Sequence, residues 1–216
     1  WRPREPDGRW RWILFDMDLW APVNENSLER MCSATAVEAP YLPLLLAHPE
    51  LGPRFIARVE GLLATVLSKA HASQLLDSLY DTHRTAMERD HERWAQVLER
   101  PSPRSSLEEL HAHVQGRPGT LMMQLAEHTR RSLRTIRFES PYPEQGQLFI
   151  EDLPLIGATV TQQLLAGIPV RVSAVAHPDW EFAGWEGLKG GSPVRWIDPS
   201  TVRSVKPLFR RAVIRP

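Results

Sequence analysis

The chain has 216 residues, of which 26 are basic and 26 acidic, so its formal net charge is zero. That length suffices for one good core or two modest ones. The balanced charge argues against a nucleic-acid or polybasic membrane partner, and no apolar run is long enough to span a bilayer. Cys32 is the single cysteine, which excludes an internal disulfide; between Met31 and Ser33 it reads as a small buried or half-buried side chain, not a nucleophile. Lysine is confined to Lys69, Lys189 and Lys206. The chain opens on Trp1 in what reads as folded sequence. The expectation is therefore a fragment whose beginning, with any targeting signal, is missing.

Pro3, Pro6 and Asp7-Gly8 mark a turn before the apolar run Trp10 to Phe15, which reads as a buried strand. That run leads straight into Asp16-Met17-Asp18. Strand alternation puts Asp16 and Asp18 on one face, about 6–7 Å apart. Two carboxylates held this close are costly unless a cation neutralises them, and hard oxygen donors suit magnesium or manganese.

Residues 26–135 read as helical. Asn26 or Ser27 can cap a first helix. Leu42 to Ala47 predicts a short helical turn stopped by His48-Pro49. Phe55, Ile56, Val59, Leu62, Leu63 and Val66 fall at helical spacing, with Pro53 in the first turn. Ser73 is placed as the cap of a long helix whose apolar stripe is Leu76, Tyr80, His83, Met87, His91, Trp94 and Leu98. Ser105 or Ser106, followed by Glu108 and Glu109, predicts the start of another helix. Gly116, Pro118 and Gly119 predict a break. Leu121, Met122, Leu125 and Leu133 then line a last helix. Five such stripes imply a helical layer with its own core.

The pattern changes after Ile136. Glu139 to Gly146, with Pro141 and Pro143, reads as a linker. Short apolar or alternating runs follow at Leu148–Ile150, Ala158–Val160, Val170–Val175, Glu181–Trp185, Val194–Ile197 and Val202–Phe209. Turn residues punctuate them, as in a small all-β module of about 70 residues. The predicted class is α+β: a mostly helical part over 1–138, a linker over 139–146 and a β-sandwich-like module over 147–216.

Among the candidate sites, Asp16 and Asp18 carry the strongest chemistry. Three metal chemistries share an apolar strand ending in D-x-D: haloacid-dehalogenase-like phosphatases, nucleotide-sugar glycosyltransferases and kinase-like folds. The phosphatase pattern wants a permissive Gly-Thr where Leu19-Trp20 stands, and a glycosyltransferase wants more α/β sequence downstream. His83 and His91 are eight residues apart, whereas a two-histidine metal site on a helix prefers i and i+4; they read as core histidines. His111 and His113 point to different faces. Trp180, Phe182 and Trp185 read as core of the β module, not as a carbohydrate platform.

Taken in order, these features resemble the CotH kinase family, atypical secreted or surface-associated protein kinases with a strongly diverged kinase-like fold. Trp10 to Asp18 resembles the family's tryptophan-rich strand ending in D-x-D. Leu45 to Glu50 with Arg54-Phe55-Ile56, the helix through Glu88 to Trp94, and Arg117-Pro118 resemble the segments that follow it. Gly167 to Gly187 resembles a β module that often trails the family's domain. The resemblance implies that Asp16 binds the Mg2+ (or Mn2+) bridging ATP phosphates, with Asp18 assisting. It implies a protein substrate in a spore coat or on a cell surface, and an extracellular location. The family's catalytic Asp is expected upstream of Trp1, so the chain by itself is expected to be inactive. In place of the family's Gly-containing turn, Leu19-Trp20-Ala21-Pro22 follows the pair, which favours the rival reading of a non-catalytic coat or surface scaffold.

Overall fold

The structure is a computed structural model that describes residues 4–5, 7–8, 23–33 and 40–212. Among the described residues, five helices precede nine strands: α1 (Ser27–Cys32), α2 (Leu42–Ala47), α3 (Leu51–Ala64), α4 (Lys69–Leu98), α5 (Pro103–Thr129), then β1 (Leu133–Glu139), β2 (Gly146–Ile150), β3 (Leu153–Pro154), β4 (Thr159–Leu165), β5 (Val170–Ala176), β6 (Trp180–Trp185), β7 (Val194–Ile197), β8 (Ser204–Val205) and β9 (Pro207–Arg211). The class is α+β, as expected.

Local chemistry explains the helix ends. Asn26 caps α1, its side chain accepting from the Glu29 N–H at 3.1 Å. Ser68, not Ser73, is the N-cap of α4. The Ser68 N–H is itself held by the Thr65 carbonyl at 2.9 Å, so the turn after α3 feeds α4 five residues earlier than the side-chain pattern suggests. Ser102 caps α5 by accepting from the Ser105 N–H at 3.1 Å, with Pro103 in the first turn. Helix-favouring geometry at Pro103 and the capping Ser102 hydroxyl place this start ahead of Ser105.

Two further expectations fail. The break at Gly116–Gly119 is absent: α5 runs unbroken through Pro118. An interior proline costs roughly 3 kcal/mol. Met122 and Leu125, beyond it on the same helix, are 0% and 1% exposed, and burying each contributes about 1.5–3 kcal/mol. The expected last helix also ends early. Arg130 adopts a left-handed conformation at φ 54 and closes α5, so Leu133 opens β1. Within β1 the burial alternates, Ile136 and Phe138 being buried and Arg137 exposed, the period of a half-buried strand.

The strands form a three-stranded sheet in the order β4-β1-β8, a four-stranded sheet in the order β3-β2-β5-β7, and the pair β6-β9. β1 runs antiparallel to β4, from Leu133 opposite Leu165 to Glu139 opposite Thr159, and parallel to β8. Leu148, Ile150, Val170 and Val172 point inward from β2 and β5. Trp185 is buried and donates from Nε1 to the Ser192 carbonyl at 2.9 Å. Phe182 packs edge-on against Trp185 and Phe209, at 5.3 and 6.3 Å. These rings serve as core of the β region.

Among the described residues, the helices share their core with the strands. One buried cluster joins Leu28, Leu42, Ile56, Leu63, Met122 and Leu125 to Ile136, Phe138, Leu148, Leu165 and Val172. α4 stands outside it: each of its 30 residues remains at least partly exposed. Its apolar stripe faces α5, and Leu75, Leu79 and Trp94 are left at 51%, 50% and 40% exposure. His83 on that stripe is therefore exposed and His91 half-buried, not core histidines as their spacing suggests. His111 bridges the two helices instead, its Nε2 2.8 Å from Asp77 Oδ1.

Candidate metal-binding segment and its anchor on α5

Asp16 and Asp18 lie outside the described residues. Their fitness for a divalent cation rests on donor chemistry: two carboxylates one residue apart supply the hard oxygens that magnesium and manganese prefer. What the structure does describe is how the chain is held where it leaves them.

Val23 to Ser27 is fastened to the middle of α5. Arg117 lies on that helix and turns its guanidinium toward the segment. Nη1 donates to the Val23 carbonyl at 3.2 Å and to the Glu25 carbonyl at 2.7 Å, while Nη2 donates to Ser27 Oγ at 2.7 Å. A planar fork of donors suits this task better than a point charge. Two turns further on, buried Gln124 donates from Nε2 to the same Glu25 carbonyl at 2.7 Å. Two α5 side chains thus converge on one backbone oxygen. Charge-assisted bonds of this kind contribute about 1.5–3 kcal/mol each where they are sheltered.

Gly116 makes the approach possible. A Cβ at that position would lie 2.6 Å from Val23 Cγ1, well inside contact distance. The glycine that reads as a helix breaker is there for proximity. On the other side of the segment, Glu25 accepts from Arg30 Nε at 2.7 Å and from Ser27 Oγ at 3.2 Å. The Arg30 guanidinium holds the Glu25 carboxyl below the usual carboxylate range. Burial and then the Arg117 charge push His113 down, so it is a neutral ring at neutral pH beside the clamp.

Other sequence candidates are not brought together. His83, Asp90, His91, Trp94 and Arg100 line an open cleft of about 570 Å³ between α4 and α5, where Asp90 pairs with Arg100 at 3.6 Å. Cys32 is half-buried, and burial pushes its thiol up, away from nucleophilic use. No group of three or more potential metal-ligating side chains occurs among the described residues, and no described helix is long and apolar enough to cross a membrane.

The sequence reading passed over Glu60. It is fully buried on α3, where Oε1 accepts from the Leu165 N–H at 2.6 Å, and Oε2 has no partner among the described residues. Its signal was positional: four residues after Ile56 and three before Leu63, it lies on the apolar face.

Residues 1–121 match the family described as CotH kinase protein, more than half of the 216-residue chain. The chain belongs to the CotH kinase family. Comparison with curated proteins and with solved structures gave no match. The CotH match takes in Asp16-Met17-Asp18, the α2–α3 segment, α4, and α5 through the Arg117 clamp.

Proposed function

We propose that this CotH chain supplies the metal-binding part and helical support of a kinase that transfers the ATP phosphoryl group to Ser or Thr of a protein. The match over residues 1–121 carries the reading, because it covers the aspartate pair together with Arg117 on α5, which holds the segment behind it. In this account Asp16 is the principal ligand of Mg2+ (or Mn2+) and Asp18 assists it. The cation, when bound, neutralises charge on the ATP phosphates. Phosphoryl transfer asks little covalent chemistry of a protein and a great deal of positioning. The contribution of this chain is then to hold two carboxylates at a fixed place relative to α5. The substrate is a coat or surface protein, and the site of action is the spore coat, the cell surface or the extracellular space.

One observation favours a second reading, that of a non-catalytic coat or surface scaffold. Leu19-Trp20 stands directly after the pair, where two bulky apolar side chains leave little freedom for a tight turn. One experiment separates the two. In a protein where this chain follows a nucleotide-binding lobe and a catalytic Asp, incorporation of labelled phosphate from ATP is measured with and without Mg2+. A kinase shows Mg2+-dependent incorporation that Asp16→Ala abolishes. Incorporation undiminished in Asp16→Ala sinks the metal assignment, and none in the unmodified protein favours the scaffold.

A further inference from the structure

We infer that the cleft between the start of α3 and the β2–β3 turn binds a neutral oligosaccharide of β-linked pyranose rings, with Trp196 as its stacking platform. The inference needs neither Asp16 nor Asp18, so it stands or falls apart from the kinase reading.

The turn is the first sign of a built site. Glu151 and Asp152 are the two residues between β2 and β3, and both have positive φ, at 49° and 63°. A two-residue hairpin of this kind is ordinarily filled by Asn-Gly, because most side chains are strained there. Strain that a fold retains gathers at functional sites. Here the neighbours hold it in place. Arg58 donates to the Glu151 carbonyl and Arg171 to the Asp152 carboxylate, while the Arg171 N–H donates to Glu151 Oε1 at 2.6 Å. Gly61 admits the turn, since a Cβ there would lie 2.7 Å from Glu151 Cβ.

Trp196 is the second sign. It lies on β7 directly opposite Arg171 on β5, so the two side chains share one face of the sheet. The next residue, Ile197, is buried, whereas Trp196 is 59% exposed. Unlike Trp185, this indole is no part of the core. It lines the cleft together with Phe55. The cleft holds about 850 Å³, within the roughly 300–1,000 Å³ usual for small-ligand sites.

The charges choose the ligand. Glu50, Glu151 and Asp152 line the cleft against Arg54, Arg58 and Arg171, so acids and arginines balance. Arg58 and Arg171 are engaged by the turn, whereas the Glu50 and Arg54 side chains make no hydrogen bond or ion pair among the described residues. An anion meets the three acids, and a cation meets the three arginines. A sugar hydroxyl both donates and accepts, so adjacent hydroxyls can bridge a carboxylate, which only accepts, and a guanidinium, which only donates. A β-linked pyranose with equatorial hydroxyls also presents a flat C–H face to the large apolar surface of an indole.

The test is isothermal titration calorimetry of the chain with cellotetraose and with chitotetraose, with thermal unfolding of each variant recorded in parallel. The expectation is binding of at least one of the two, weakened about tenfold in Trp196→Ala and by a smaller factor in Glu50→Gln and in Arg54→Ala. The double change Glu151→Asn, Asp152→Gly relaxes the turn and removes both carboxylates; it weakens sugar binding without lowering stability. Trp94→Ala, on the α4–α5 cleft, leaves the affinity unchanged. No binding of either sugar overturns the inference, as does unaltered affinity in folded Trp196→Ala or in the folded turn variant. Binding of a proline-rich decapeptide at Trp196 in place of either sugar also overturns it, in favour of a peptide groove.

Discussion

Glu60→Gln is expected to remove most of the pH dependence of folding near neutrality. Glu60 is 0% exposed between α3 and the β4 end of the sheet. Loss of hydration raises its carboxyl from 4.5 to about 8; the Leu165 N–H opposes this and the nearby Glu151 charge reinforces it. The folded chain therefore binds this proton more tightly than the unfolded chain does. The sign follows: stability from this group is fully present below about pH 4.5 and is lost as pH rises through about 8. Each unit of displacement is worth about 1.4 kcal/mol. The loss amounts to about 3 kcal/mol by pH 7 and approaches about 5 kcal/mol above pH 8.5, a large share of a typical domain's 5–15 kcal/mol. Glutamine keeps an oxygen for the Leu165 N–H, bonded at 2.6 Å in the native side chain, and cannot ionise. Urea unfolding at pH 5 and pH 8.5 gives the difference directly. Between those two pH values Glu60→Gln should gain about 4 kcal/mol relative to the unmodified chain. Titrations elsewhere cancel in that comparison. Parallel pH dependence of the two proteins would refute the account of Glu60 as a buried, protonated acid.

Two glycines on α5 give opposite outcomes. Gly119 has nothing within 4 Å of an added Cβ, so Gly119→Ala should stabilise by roughly 0.5–1 kcal/mol through helix propensity. At Gly116 the same change meets Val23 Cγ1 at 2.6 Å; thermal unfolding should show no gain there, and a gain equal to that at Gly119 would contradict the close approach. Trp185→Ala should cost about 3–5 kcal/mol, because the ring is 4% exposed and its Nε1 is bonded to Ser192. Trp94→Ala on exposed α4 should cost much less, within about 1 kcal/mol; chemical denaturation of the two variants compares them.

The sequence displayed the sheet well and the helical layer less well. Runs such as Leu148 to Ile150 bury alternate side chains, so period and core agree. On α4 an equally regular stripe misled, because periodicity reports which residues share a face and not whether anything covers that face. Pro118 misled for the opposite reason: burial of Met122 and Leu125, distant from it in energy terms, offsets a local penalty that propensity alone makes decisive. The aspartate pair stands out in the sequence as apolar residues running into acids, and its reading as a metal site lies outside the described residues. The Arg117 clamp was not legible as a clamp. Its partners are two carbonyls and one hydroxyl some 90 residues earlier, and nothing in an Arg-Pro dipeptide specifies which backbone it will bind. Glu60 was hidden likewise, since its main partner is the N–H of Leu165, in a strand formed long after α3 in chain order.

The central claim, that this CotH chain holds a divalent cation through Asp16, is tested most directly by water-proton relaxation of Mn2+ titrated into the chain itself. The account predicts a single site that disappears in Asp16→Asn and is weakened in Asp18→Asn. Retention of the full relaxation enhancement in Asp16→Asn, at unchanged affinity, would contradict it.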